Sequence, residues 1–286
     1  VPSTSNVTLK ANTMKPGWAD FRTSGHLVFE PDTTFVESEP IYLSSDWGVQ
    51  FPLKVASFNV GKPASGSTNQ TKSNLDLLAI SSVGPVNAYG GTITYEGNIS
   101  SDQEVNLLGS SSMTVGVQVS AGSGGVSIES ADALTVNSPI TSAGRVSLES
   151  TGLSTNLTLG ANITVSGAGS NLLLKSKSNV ILSTAGVNLQ TGGKSNGAGG
   201  RIVIWADSDA SGQGYVDVPA NSVLNSIGGA TGTFTGGGDI HIAGGLDNGS
   251  TDISTAAQSS DGLPDGWAIS TSVSYTHLTL PTIYSV

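Results

Sequence analysis

Residues 124–144 read GGVSIESADALTVNSPITSAG and residues 144–169 read GRVSLESTGLSTNLTLGANITVSGAG, so two adjacent stretches nearly repeat each other. Each stretch opens with glycine, continues with an apolar-x-apolar triplet and reaches a second triplet after a polar corner. A third apolar segment and another glycine close the unit. A unit of this kind cannot bury its own apolar face, so copies must stack to make a core. The repeat therefore predicts a solenoid.

The spacing of the apolar residues predicts short strands on three sides of each coil. Apolar residues come in pairs two positions apart, which places both side chains of a pair on one face of a strand. The pattern that starts at Val126 restarts at Val146, and further restarts can be followed from about Leu27 to Ile242. We therefore expect an all-β fold, a right-handed parallel β-helix with three sides and on the order of ten coils. Glycine, asparagine and serine between the pairs are expected at corners that need positive φ.

Two interruptions of the pattern predict protruding corner loops. Between Ile204 and Val216 the first corner of a coil is enlarged to ADSDASGQGY at residues 206–215. Residues 47–80 are the least regular part, and their polar segment GKPASGSTNQTKSN is interpreted as a loop rather than a domain boundary. We predict one β-helix over residues 1–272 with an irregular insertion at about 47–80. Binding is expected at such insertions, because solenoids place them on one face.

Composition supports strands and limits the partners. Glycine accounts for 38 of the 286 residues, and charged residues for 11%, well below the quarter usual in globular domains. The net charge of −10 argues against nucleic acid and anionic membrane surfaces as partners. The absence of cysteine excludes disulfides and a thiol nucleophile, and no apolar run is long enough for membrane insertion. Because no signal peptide is visible and Val1 is not an initiator Met, we expect an internal fragment of a longer protein.

The last residues of the chain have an unusual sequence. Residues 273–282 read VSYTHLTLPT, and with permitted codons their back-translation resembles the mosaic-end adapter of transposase-based sequencing libraries. We therefore expect residues 273–286 to be adapter read-through, an artefactual tail outside the fold. The alternative is a genuine terminal strand, since HLTL alternates acceptably.

Four stretches resemble the large repetitive exoproteins of Gram-negative bacteria, the filamentous-haemagglutinin-like adhesins: GHLVFEP at 25–31, GPVNAYGGTITYEGNISS at 84–101, GGRIVIWADSDASGQG at 199–214 and GGGDIHIAGGLDNGS at 236–250. With the VSLES and LTLGANITV units, the resemblance covers most of residues 25–250. It implies export through an outer-membrane partner or as an autotransporter, and an extracellular or bacterial cell-surface location. It also implies a structural and adhesive rod that binds a receptor on host cells, matrix or other bacteria, with a glycan as one candidate.

The sharpest candidate for a metal site is the enlarged corner. Oxygen-bearing side chains at Asp207, Asp209 and Ser211, followed by glycine, resemble the start of a calcium-binding loop. Asp217 lies one residue before the position at which such loops place a bidentate acid. The alternative is a solvated corner in which Asp and Ser cap turns. We predict no other cofactor.

Two further functions compete with an adhesive rod. A carbohydrate-active β-helix enzyme, a polysaccharide lyase or hydrolase, would need paired carboxylates or a base with cationic helpers in a groove. Acidic pairs occur at Asp207/Asp209 and Asp261/Asp265, but basic residues are few, so we predict no catalytic residue and no enzymatic activity. The other competitor is a calcium-dependent or ice-facing secreted solenoid. Ice binding would need outward threonines in register, whereas the outward positions after the opening glycines vary.

Aromatic and histidine side chains beside the triplets are expected to face outward. Trp205 directly follows Ile204 and should point away from the core if Ile202 and Ile204 point into it. The same alternation directs His26 and His241 outward. An outward tryptophan could stack against a sugar ring, and packing of the tryptophan under a corner loop is the alternative.

Overall fold

The computed structural model describes residues 6–11, 23–31, 41–43, 55–65, 70–192, 199–209, 214–226 and 238–244. Within these ranges the regular structure consists of β-strands, and every strand pair is parallel. No helix in this part of the chain is long and apolar enough to cross a membrane. Several predictions fall outside the described residues, namely those on Ser211, on residues 47–54 and 66–69, on Asp261 and Asp265, and on the tail at 273–286.

The strands lie on three sides. The first side is one ten-stranded sheet, the long sheet, which contains β1 (Val7–Lys10), β2 (His26–Glu30), β4 (Ser57–Val60), β7 (Val86–Gly90), β10 (Glu104–Gly109), β13 (Gly125–Ser130), β16 (Val146–Ser150), β19 (Leu172–Ser176), β22 (Ile202–Trp205) and β25 (Ile240–Ala243). The second side holds a three-stranded and a five-stranded sheet, with β3 (Ile41–Leu43), β5 (Leu75–Leu77), β8 (Ile93–Tyr95), β11 (Met113–Val115), β14 (Leu134–Val136), β17 (Leu157–Leu159), β20 (Val180–Leu182) and β23 (Val216–Asp217). The third side is a seven-stranded sheet of β6 (Ile80–Ser82), β9 (Ile99–Ser101), β12 (Val119–Ala121), β15 (Ile140–Ser142), β18 (Ile163–Val165), β21 (Asn188–Thr191) and β24 (Val223–Asn225).

The chain visits the three sides in turn, so that each complete coil gives one strand to each side. The two stretches of the repeat are two such coils, β13 to β15 and β16 to β18. The fold is therefore a parallel β-helix, as the repeat predicted. The strands β4 and β5 fall within the span 47–80 and pair in register with their neighbours, and residues 61–74 lie between them as a long corner.

The register of the long sheet follows the predicted restarts. Val126 pairs with Val105 in the preceding coil and with Val146 in the next. The same column of inward side chains continues through Leu27, Phe58, Val86, Leu172 and Ile202. Each of these side chains is at most 2% exposed, and burial of one aliphatic side chain contributes roughly 1.5–3 kcal/mol. Stacking of coils thus makes the core that a single coil lacks.

Serine residues at the first corner join each coil to the one before it. Ser130, Ser150 and Ser176 occupy one column of the long sheet and are buried. Their hydroxyls donate to main-chain carbonyls in the first corner of the preceding coil, at Ser111 (2.6 Å), Asp132 (2.7 Å) and Thr155 (3.0 Å), respectively. A small hydroxyl side chain therefore satisfies a corner carbonyl that the strand ladder cannot reach.

Corner asparagines have two roles, because Asn221 meets the expectation of positive φ while others accept hydrogen bonds between coils. Among the described residues other than glycine, positive φ occurs at Asp207 and Asn221. Asn162 Oδ1 instead accepts a main-chain N–H from the next coil (2.8 Å), and Asn171 Oδ1 does the same (2.8 Å). These two asparagines thus act as hydrogen-bond acceptors between coils, because their short amides reach an N–H at the start of the next strand.

The corner lengths are unequal. The second corner, between second-side and third-side strands, is between two and five residues long in each coil from β5 to β24. The first and third corners, which border the long sheet, reach as many as 14 residues, at 61–74 and 226–239. From β5 to β24 the longer corners therefore border the long sheet. In the preceding coil the second corner is also long, because residues 44–54 separate Leu43 from Val55, which bridges to Ser82 on the third side.

Candidate functional site

The outer face of the long sheet carries two columns of side chains between the two variable corners. Because strand side chains alternate and the first and third positions of each triplet point inward, the second and fourth positions point outward. One column contains Asn59, Asn87, Asn106, Ser127 and Ser147, and the other contains Tyr89, Leu108, Glu129, Glu149 and Lys175. We call this surface the outer face.

Three asparagines form a ladder across adjacent coils of the outer face. Asn87 Nδ2 donates to Asn59 Oδ1 (2.6 Å), and Asn106 Nδ2 donates to Asn87 Oδ1 (2.8 Å). All three side chains are partly exposed. The residues are brought together only by the coil register, since Asn59 and Asn87 are far apart in sequence.

A serine and a histidine extend the ladder toward the N-terminal end. Asn59 Nδ2 donates to the Ser57 hydroxyl (3.3 Å), and this hydroxyl lies 2.6 Å from His26 Nδ1 in the preceding coil. Ser57 is buried, whereas His26 is exposed, as alternation predicted. The result is a line of polar groups running along the rod axis.

An apolar flank accompanies the ladder. Tyr89 and Leu108 pair in adjacent coils next to Asn87 and Asn106, and both are partly exposed. Burial raises the pKa of the Tyr89 phenol above its usual value, and Glu104 adds a smaller effect in the same direction. The phenol therefore stays protonated and can donate a hydrogen bond at neutral pH.

The long first corner between β4 and β5 packs against this flank. Gln70 Nε2 donates to the carbonyl of Leu108 (2.9 Å) and reaches that of Gly90 (3.4 Å). At the base of the same corner, Lys62 N donates to Thr71 Oγ1 (2.9 Å) and Thr71 N donates to Lys62 O (3.0 Å). The insertion thus borders the outer face beside Tyr89 and Leu108.

Charged side chains occupy the next coils of the outer face. Glu129 and Glu149 pair in adjacent strands, and Lys175 pairs with Glu149 one coil further, with Lys175 Nζ 3.2 Å from Glu149 Oε2. Ser147 donates to Glu149 Oε1 (3.3 Å). Burial raises the pKa of Glu129, and the nearby charge of Glu149 raises it further, while Lys175 acts in the opposite direction. Glu129 therefore holds its proton more readily than a free glutamate does.

An apolar cluster ends the outer face toward the C-terminal coils. Trp205 packs with Leu173, Val203 and Ala243 apart from the main core, which confirms that it points away from Ile202 and Ile204. Its ring is only 4% exposed, and Lys175 Nζ lies 5.3 Å from the ring centroid. Trp205 is thus a packed side chain rather than an open platform for a sugar ring.

The predicted calcium ligands occupy unlike environments. Asp207 is 0% exposed, has a φ of 53°, and donates its main-chain N–H to Ser178 O (3.0 Å). Asp209 is exposed in the corner, and Asp217 is exposed within β23. In the described ranges, no three or more acidic, histidine or cysteine side chains are grouped so as to hold a metal ion. Because Ser211 lies outside those ranges, calcium binding stays a prediction.

Sequence reasoning missed both the asparagine ladder and the Glu129/Glu149 pair. The pair had a visible signal, because VSIES and VSLES place glutamate at the same position of consecutive units. Part of the ladder also had a signal, because Asn87 and Asn106 each directly follow a valine that restarts the repeat. The pairing with Asn59 had none, since it depends on the length of an irregular corner. No protein family, curated protein or solved structure matches the chain.

Proposed function

We propose that the chain is a structural and adhesive rod segment of a large secreted or surface-displayed bacterial exoprotein. In this proposal the outer face of the long sheet is the contact surface, and an outer-membrane partner exports the full-length protein. The receptor lies on host cells, matrix or other bacteria.

The observation that supports this proposal best is that, in the coils from β5 to β24, the longer corners border one continuous ten-stranded sheet. A rod that acted only as a spacer would have no reason to lengthen its corners beside one sheet over these coils. Loops on a rigid scaffold commonly carry binding functions. The polar ladder and the charged coils between these loops supply the groups for specific contacts.

The proposal is tested with microspheres that carry the purified chain, by measuring their retention under flow on epithelial cells, extracellular matrix and bacterial layers. A variant with Leu108→Arg and Ser127→Arg places two bulky charges on the outer face. The matched control, Ser120→Arg with Thr141→Arg, places the same charges on paired, outward positions of the third side. We expect retention above that of albumin-coated spheres, lost in the outer-face variant and kept in the control.

Two results would count against the proposal. Retention no better than albumin on all three kinds of surface would contradict the adhesive function. Equal retention of the two arginine variants would contradict the assignment of the outer face as the contact surface.

One observation favours a second function, a carbohydrate-active enzyme. Glu129 and Glu149 are direct cross-strand neighbours on the outer face, and retaining glycosidases use a pair of closely spaced carboxyl groups. Glu129, with its raised pKa, would donate a proton to the leaving oxygen, while Glu149, paired with Lys175, would attack the anomeric carbon. Water, deprotonated by Glu129, would then attack the same carbon, free Glu149 and release the sugar with a new reducing end. Release of reducing ends from a panel of polysaccharides, abolished by Glu129→Gln, would support this function. No release from any substrate would contradict it.

A further inference from the structure

We propose that the asparagine ladder binds a neutral, linear glycan that lies along the rod axis, with successive sugar units over successive coils. The proposed subsite consists of Asn59, Asn87 and Asn106 with Tyr89 and Leu108, and we call it the asparagine strip. This inference rests on the proposed function, because it takes the outer face as the contact surface.

The hydrogen-bonding capacity of the ladder suits a hydroxyl-rich ligand. A side-chain amide has two N–H donors and an oxygen with two lone pairs. The ladder uses one donor and one acceptor site of Asn87. Its second donor and second lone pair have no hydrogen-bond partner among the residues that the structure describes. Sugar hydroxyls both donate and accept, so they match a row of amides better than a carboxylate or an ammonium group would.

The charge distribution favours a neutral ligand. No residue of the asparagine strip carries a charge. Glu104, which acts on Tyr89, and Glu129, which pairs with Leu108 in the next coil, would repel a polyanion. The net charge of −10 also repels polyanions, over a longer distance. Sulfated and uronic-acid polymers are therefore disfavoured relative to uncharged ones.

The spacing and the flank favour a linear chain of pyranose rings. Paired strands of adjacent coils are about 4.8 Å apart, close to the length of one pyranose unit in an extended chain. Tyr89 and Leu108 present partly exposed apolar surface beside the amides, where the C–H face of a sugar ring can pack. Gln70 contacts the main chain at Leu108 and Gly90, so the corner insertion holds this side of the strip in place.

The test is isothermal titration calorimetry of the full chain with cellohexaose, mannohexaose, xylohexaose and, as an anionic comparison, hexagalacturonate. Asn87→Leu removes the central amide, and Tyr89→Ala removes the aromatic half of the apolar flank without replacing an asparagine of the ladder. The matched control is Thr135→Val, which alters an outward side chain on the second side. We expect at least one neutral hexasaccharide to bind, with affinity about ten-fold weaker in Asn87→Leu, several-fold weaker in Tyr89→Ala and unchanged in Thr135→Val.

Three results would overturn the inference. The first is no binding of any neutral hexasaccharide at millimolar concentration, and the second is hexagalacturonate binding as tightly as the best neutral ligand. The third is equal affinity of Asn87→Leu and Thr135→Val for the hexasaccharide. If thermal melting shows that Asn87→Leu is unfolded, the third result is instead an affinity of Tyr89→Ala equal to that of the unaltered chain. Adhesion of microspheres without hexasaccharide binding would overturn this inference alone, whereas hexasaccharide binding without adhesion would overturn only the adhesive function.

Discussion

The corner serines provide a sharp test of what holds the coils together. Ser150 is 1% exposed, and its hydroxyl donates to Asp132 O (2.7 Å) in the preceding coil and lies 3.1 Å from Thr155 Oγ1. Ser150→Ala removes this hydrogen bond and leaves a corner carbonyl without its side-chain donor. The expected loss of unfolding free energy is about 0.5–1.5 kcal/mol, the usual net contribution of one hydrogen bond, here made by a buried hydroxyl to an exposed corner residue.

A serine in the same strand supplies the control. Ser147 is also buried, at 4% exposure, but its hydroxyl donates to the Glu149 carboxylate at the outer face (3.3 Å), where water can take its place. We therefore expect Ser147→Ala to cost less than about 1 kcal/mol. The midpoints of urea denaturation of the two variants, measured against the unaltered chain, give the comparison. A Ser150→Ala midpoint equal to or above that of Ser147→Ala would refute the role assigned to the corner hydroxyl.

Three further predictions follow from the same structure. The pKa of Glu129 is higher in the folded than in the unfolded chain. Ionisation of Glu129 therefore lowers the free energy of unfolding increasingly as the pH rises above its unfolded-state pKa of about 4.3. Glu129→Gln should therefore melt at a higher temperature at neutral pH, and this advantage should vanish below about pH 4. Gly125→Ala should lose at least about 1–2 kcal/mol in urea denaturation, since φ is 94° and a Cβ would lie 2.3 Å from Arg145 O; an unchanged midpoint would contradict this. If the corner at 206–215 binds calcium, calorimetry should show binding heat that Asp209→Asn reduces, and no heat would remove the calcium prediction.

The fold was predictable because its information is local and repeated. Pairs of apolar residues two apart, restarted after glycine, predicted the column through Val86, Val126, Val146 and Ile202, and the structure confirms it. Alternation alone also directed Trp205 to the outer side. Its burial there could not be predicted, because it depends on packing with residues of neighbouring coils such as Leu173.

The candidate site was less predictable because it depends on register across irregular corners. Asn59 meets Asn87 only if the residues at 61–74 leave the strand register unchanged, and no sequence pattern in that corner states this. For Asp207, by contrast, the sequence pattern was present but its meaning was not. The spacing of Asp207 and Asp209 predicted a calcium ligand, whereas Asp207 is buried in a turn with positive φ, and Gly214 packs closely against it.

The parallel stacking of coils has a mechanical consequence. A pull applied along the rod axis acts on the hydrogen bonds between coils from the end inward, one strand pair after another, rather than on many bonds at once. The rod should therefore yield at low force by peeling coils from an end. A coil of about 20 residues would release on the order of 70 Å of chain. A surface-anchored rod with this behaviour would lengthen stepwise under flow. The force on a weak contact at its surface would then stay below the force that breaks the contact.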